Sequence, residues 1–267
     1  MSEQTLNPLQ AEIIGSMTWS YSRVKQFYDC PYAWYLKYLY RAEPDNNMFF
    51  ASYGTLVHEL IRDFYNGTVA KDSLVSEYVS RFSERIKPLA LPNENIFKKY
   101  FSDGLRYFLS FTPLSAEKIE VERKIRTKIS GYDFVGYIDA LIFSNGEITI
   151  NDYKSRQLSR GKKGGHTKKD DELNSYFRQL YLYSVPIEEE NQRPPDKLTL
   201  TCFRNNSVIT EKFSKSSQLE AAEWFAAGIE RIKNEREFKP YIDFFKCTYI
   251  CPMHNECDYY TEMFGGK

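Results

Sequence analysis

The feature that most constrains this chain is a change of hydrophobic period near residue 117. Ahead of it, apolar residues recur at helical spacing, as in the stripe Leu56, Val57, Leu60, Ile61 and Phe64. After it, Ile119, Val121, Ile125 and Ile129 alternate with charged residues, which predicts a strand. Gly131-Tyr132 reads as a turn, Phe134 to Phe143 as a second strand, Ser144-Asn145-Gly146 as a hairpin turn and Glu147 to Tyr153 as a third strand. Helical spacing returns at about 171–185 and 216–235. Between these lies a strand from Asp196 to Phe203, with Val208 to Phe213 as its hairpin partner. Helices, three strands, helix, strand, helix is the order of an α/β fold with a mixed central sheet flanked by helices.

The helices are punctuated by local signals. Ser20 and Ser22 are N-cap candidates for a helix carrying Val24, Phe27 and Tyr28, and Trp34, Leu36, Tyr38 and Leu39 follow Pro31. A second helix is expected after Gly54 and ends at Gly67. Two more are expected in 71–111, parted near Pro88 to Pro92, and read as a helical insertion over 70–116. Residues 1–15 read as a flexible lead, 16–267 as a single domain, and 238–267 as an irregular tail. Aromatic residues reach 16%, enough for a large core. The 36 basic and 36 acidic residues cancel, so nucleic acid would have to be met by a local patch rather than by bulk charge. There is no apolar run of membrane-spanning length and no basic-then-apolar leader, which makes the cytosol the expected compartment. In a reducing compartment the five cysteines are not expected to form disulfides.

Chemistry concentrates at the end of the third strand. Residues two apart on a strand share a face, so Asp152 and Lys154 project together. Asp139 lies on the adjoining strand in the apolar run Gly136-Tyr137-Ile138-Asp139-Ala140-Leu141-Ile142. A carboxylate there is costly unless paired or bound to metal. Two carboxylates on neighbouring strands suit Mg²⁺ or Mn²⁺, and a nearby lysine can orient water or offset developing charge on a phosphodiester. Acid-x-lysine triplets also occur at 122–124 and 237–239, but only 152–154 ends an apolar strand. Gln179 and Tyr183 share one helix face, and His58 sits beside the apolar stripe of its helix.

Taken in order, His58, Glu122, Gly136-x-x-Asp139, Asp152-x-Lys154 and Gln179-x-x-x-Tyr183 resemble the PD-(D/E)xK nuclease superfamily, specifically its RecB-like branch. The resemblance runs from about Ser20 to Tyr260. It implies a restriction-endonuclease-like core, and His58, Asp139, Asp152 and the Tyr153 carbonyl as ligands of Mg²⁺ or Mn²⁺. Lys154 would be the catalytic lysine, with Gln179 and Tyr183 positioning it or the DNA. Glu122 is matched by Glu120, which has the same strand parity. The implied activity is DNA hydrolysis, as an exonuclease on single strands or DNA ends, in repair or recombination. No helicase or ATPase motif is present, so unwinding would fall to a helicase or recombination partner. The rival readings are a DNA-trimming subunit of a CRISPR adaptation complex and a DNA-binding module without turnover.

Cys30 precedes a proline near one end of the chain, and Cys247, Cys251 and Cys257 cluster near the other. Four thiolates suit zinc or an iron–sulfur cluster. One remote cysteine plus a trio resembles the [4Fe-4S] arrangement of RecB-like nucleases, among them AddB-type domains and CRISPR-associated exonucleases. Trp19-Ser20-Tyr21-Ser22 and Phe27-x-x-Cys30-Pro31 are similar to their N-terminal cysteine motif. Three residues separate Cys247 from Cys251 where that family has two, which leaves zinc, or a ligand role for His254, open. The quartet reads as a structural staple, and Cys202 as a small buried hydrophobe. Finally, residues 154–169 hold seven Lys or Arg and no acid. Arg160, Lys162, Lys163, Lys168 and Lys169 of this loop are candidate phosphate contacts; its Gly161 to Gly165 run lacks the Gly-Lys-Ser/Thr ending of a P-loop.

Overall fold

The computed structural model describes residues 8–90, 92–161 and 167–265. Its centre is one sheet in the order β1-β2-β3-β4-β5, formed by Lys118–Ile129, Tyr132–Ser144, Glu147–Lys154, Lys197–Cys202 and Ser207–Lys212. Neighbours are antiparallel except β3 and β4, which run parallel and need a crossover helix. That helix is α7, Lys168–Asn191. The β1–β2 and β2–β3 hairpin turns use left-handed backbone at their two central residues, Ser130 and Gly131, then Asn145 and Gly146. This twist matches that of the strands they join.

One face of the sheet packs on α1 (Pro8–Gly15), α2 (Tyr21–Asp29), α7 and α8 (Lys215–Asn234), through Ile125, Ile138, Ile150, Leu200, Leu180 and Phe225. The other face packs on α4 (Phe49–Tyr65), α5 (Leu74–Arg85) and α6 (Glu94–Leu109), through Leu56, Tyr78, Phe82, Ala140 and Phe203. Ser20 caps α2 by accepting from Arg23 N, as its position suggests. Cys30 ends α2 and opens α3, Pro31–Tyr35, whose continuation Leu36–Tyr40 is π-helical. The tail carries α9 (Phe244–Tyr249) and α10 (Asp258–Phe264).

Several boundaries differ from the sequence reading. The second half of the supposed lead is α1, anchored by buried Ile14. The tail read as irregular contains two short helices. Helix α4 starts at Phe49, ahead of Gly54, because buried Phe49 and Tyr53 extend its apolar stripe by a turn. Helix α7 runs through Pro186 to Asn191. An interior proline costs about 3 kcal/mol, and complete burial of Leu182 and Ile187 offsets that at about 1.5–3 kcal/mol each.

Candidate active site and thiolate cluster

The β2–β3 ladder ends at Ala140 and Asn151. Beyond it the strands part, with Asp139 and Asp152 facing one another across the split. Further along β2, Trp19 takes the vacated edge, donating to Asp133 O and accepting from Val135 N, both at 2.8 Å. The split is roofed by α4, which brings His58 onto the strand ends. Its Nε2 lies 2.8 Å from the Tyr153 carbonyl oxygen and its Nδ1 3.5 Å from Asp139 Oδ2. Tyr153 N donates to the same Asp139 oxygen at 2.7 Å. Ligand atoms of His58, Glu122 and Asp139 all lie within 4.8 Å of one another.

Glu122, not Glu120, reaches this cluster, and the backbone explains why. Glu122 sits at φ 50°, which breaks the alternation of the strand. Ile119 and Val121 pack toward the α4 face, whereas Ile125 and Ile129 pack toward α7. Glu120 therefore falls on the α7 side, 2.5 Å from Lys118 and paired with Arg123, which also meets Glu190 of α7. Burial raises the Glu120 carboxyl, but Lys118 and Arg123 outweigh it and hold the group low. Strand parity, which makes the two glutamates equivalent, breaks at this one residue.

Lys154 is reached from the α7 side. Its Nζ lies 2.6 Å from Asp152 Oδ2, donates to Gln179 Oε1 at 3.2 Å and sits 4.8 Å from the Tyr176 ring centre. Gln179 Nε2 donates to Tyr183 OH at 2.8 Å. The Tyr183 ring packs over Gly136, where a Cβ would come within 2.6 Å of it. Tyr176 was missed by the sequence reading, although Tyr176, Gln179 and Tyr183 share one helix face at spacings of three and four.

Electrostatics separates the two aspartates. Burial raises Asp152, and the adjacent Lys154 does not fully offset it. Burial also acts on Asp139, but His58 and Lys154 outweigh it and leave the carboxyl low. Burial lowers His58, and Asp139 more than restores it. Burial likewise opposes the charge on Lys154, and Asp152 more than restores it. Asp152 Oδ2 is buried and meets the Lys154 ammonium at 2.6 Å, with no other polar partner among the described residues. Three carboxylates, a histidine and the Tyr153 carbonyl gathered at one point are the donor set a hard divalent cation takes. The residues therefore fit the ion expected there.

Of the loop cations, Arg160 pairs with Glu211 of β5 at 3.2 Å, and Lys168 and Lys169 are exposed in the first turn of α7. Lys162 and Lys163 lie outside the described residues.

The remaining chemistry gathers at the other end of the molecule. Cys30, Cys247, Cys251 and Cys257 line one small pocket, with Ala33, Leu36 and Met253 among its walls. Ala33 N and Tyr241 N each donate to Cys30 Sγ at 3.4 Å. Burial, with the neighbouring thiols, pushes the Cys251 thiol up to about 11. His254 lines the same cavity, but its Nδ1 lies 2.9 Å from the Cys251 carbonyl oxygen and its Nε2 3.7 Å from Asp45. Cys202 is fully buried in the main core.

A split mixed sheet with carboxylates, histidine and lysine at the split defines a PD-(D/E)XK type of nuclease core. The chain belongs to the PD-(D/E)XK nuclease superfamily, whose family model matches residues 18–258. Members of this superfamily generally use divalent metals. No curated protein matches the chain in sequence. Among solved structures, a Eubacterium rectale protein provisionally named an exonuclease aligns with 96% of this chain and 93% of its own at 16% identity, with a TM-score of 0.50. A second, the crystal structure of SSO0001, aligns with 95% of this chain and 97% of its own at 13% identity. Its TM-score of 0.31 is too low to carry weight. Among the described residues, no helix is long and apolar enough to cross a membrane.

Proposed function

We propose that the protein is a divalent-metal-dependent DNA nuclease of the RecB-like branch, acting as an exonuclease on single strands or DNA ends. The observation that carries this reading is the meeting of His58, Glu122, Asp139, Asp152 and the Tyr153 carbonyl at the point where β2 and β3 part. A divalent ion held by these groups supplies Lewis acidity to the phosphate and lowers the pKa of water. Lys154 carries a fixed positive charge at the same point and offsets charge developing on the phosphate oxygens. Gln179 and Tyr176 hold its ammonium in place, and Tyr183 holds Gln179. Burial of Asp152 and Asp139 excludes bulk water, which strengthens each of these interactions. The test is cleavage of labelled single- and double-stranded DNA with Mg²⁺, Mn²⁺ or EDTA, beside Asp152→Ala and Lys154→Ala. Metal-dependent cleavage that disappears in both variants supports the reading, and wild-type activity in Asp152→Ala would sink it.

The four cysteines, which face one pocket, are read as ligands of a structural [4Fe-4S] cluster, with zinc as the alternative. Two backbone donors already aimed at Cys30 Sγ suit a ligating thiolate.

A further inference from the structure

Strands β1 and β2 continue well past the metal site as a two-stranded ribbon, pairing from Arg123 and Ile138 out to Ile129 and Tyr132. One face of this ribbon is committed to the core. Ile125, Ile129, Phe134 and Ile138 are buried there, and Thr127 donates to Glu189 of α7. The opposite face is the one on which Glu122 and Asp139 meet His58. On it, Lys124, Arg126 and Lys128 occupy successive outward positions of β1, all exposed. Lys128 is matched by Asp133 at 2.7 Å, whereas Lys124 and Arg126 make no ion pair with any described residue. Tyr137, directly opposite Lys124, is 49% exposed, with the Lys124 ammonium 5.7 Å from its ring centre.

Two exposed cations without an ion-pair partner among the described residues thus stand beside an exposed aromatic ring on this face. Their order is ligand, cation, cation, read outward from Glu122. Alternate strand residues are about 6.7 Å apart, which suits successive phosphates of an extended strand. An exposed aromatic ring offers a stacking platform to an unpaired base without regard to its identity. We propose that this face of the β1–β2 ribbon is a track for a single strand of DNA. Lys124 and Arg126 hold adjacent phosphates, Tyr137 stacks a base, and the strand is led into the His58–Glu122–Asp139 site. The track deepens the nuclease reading and relies on it only for what happens at the inner end. It does not use Arg160, which is paired with Glu211.

The test is fluorescence anisotropy of a labelled oligothymidylate with the full chain in EDTA, over a range of salt, so that binding is read without turnover. Wild type binds with an affinity that falls as salt rises. The Lys124→Ala/Arg126→Ala double variant binds more weakly, with a log–log salt slope smaller by about 1.4, at ~0.7 for each phosphate no longer neutralised. A Lys98→Ala control on α6 leaves the slope unchanged. Tyr137→Leu loses roughly tenfold in single-strand affinity and little on a duplex of equal length, while Tyr137→Phe keeps wild-type affinity. Mn²⁺-dependent hydrolysis of bis(p-nitrophenyl) phosphate, too small to reach the ribbon, stays at the wild-type rate in all these variants. An unchanged slope in the double variant overturns the track, as does equal damage from Tyr137→Phe and Tyr137→Leu. A wild type that binds as described and cleaves nothing with any divalent metal leaves the track standing and removes the nuclease reading.

Discussion

Glu122 and Glu120 are two residues apart on one strand, and their separation onto opposite faces is decided by a single left-handed φ. The consequence is measurable. On the proposed reading, Glu122→Gln is expected to cost roughly 10²-fold or more in metal-dependent cleavage, because it would remove a ligand to the ion that stabilises transition-state charge. Glu120→Gln, which only releases Lys118 and Arg123 on the α7 side, should stay within a few-fold of wild type. Equal losses in steady-state assays would contradict the assignment. The raised Asp152 carboxyl gives a second expectation at this scale. Its folded value lies above that of a free carboxyl, so below that value it holds a proton that must leave before it can ligate. Metal affinity in calorimetry should therefore rise with pH and level off above it, and Asp152→Asn should flatten that dependence.

Between elements, the site depends on how closely β2 and α7 approach. Gly136 permits that approach, since any Cβ there would collide with the Tyr183 ring. Gly136→Ala is expected to cost about 1–3 kcal/mol by overpacking. It should also lower kcat, because Tyr183 holds Gln179 and Gln179 holds Lys154. A variant of full stability and full activity in denaturation and rate measurements would remove Tyr183 from this chain of interactions. Parity and periodicity predicted the existence of β1, β2, β3 and α7 well. They could not show that β2 and β3 separate beyond the Ala140–Asn151 pair, because a ladder ends where other groups compete for its edge, and here the competitor is the distant Trp19.

Across the whole molecule, distant parts of the chain meet at a buried ion pair and at the cysteine pocket. Asp103 of α6 and Arg204, in the turn after β4, form a buried ion pair at 3.0 Å, with Arg204 lying 3.5 Å over the Tyr100 ring. Asp103→Ala leaves a buried guanidinium without its main partner and should cost about 3–5 kcal/mol, read from the denaturation midpoint. On the proposed reading, a cluster held by the cysteine quartet is the second tie and joins the α2–α3 junction to the tail. Replacing Cys30, Cys247, Cys251 or Cys257 by Ala should each bleach a brown anaerobic preparation and lower its stability, because cluster binding is part of the folding free energy. Cys202→Ala should keep the colour. A colourless protein with one zinc per chain would reject iron and keep the staple, while colour retained in Cys30→Ala would separate the two ends of the chain.

What the amino-acid sequence determined by itself is what local physics controls. The switch of period near 117 marks where helix gives way to sheet, Asn145-Gly146 sets a tight hairpin, and Ser20 caps its helix. The residue types able to hold a divalent ion, and the four cysteines, are also legible, because chemistry is carried by side-chain identity. Tertiary structure alone decided which of those groups meet. It chose Glu122 over Glu120 through one backbone angle. It carried α7 past Pro186 because burial outweighed a missing hydrogen bond, and it began α4 a turn early because Phe49 and Tyr53 had a core to enter. It brought Tyr176 to Lys154, and Cys30 to a cavity formed more than two hundred residues later. Each of these outcomes is a competition between a local preference and contacts distant in the chain, and a reading of local pattern holds only the first of the two terms.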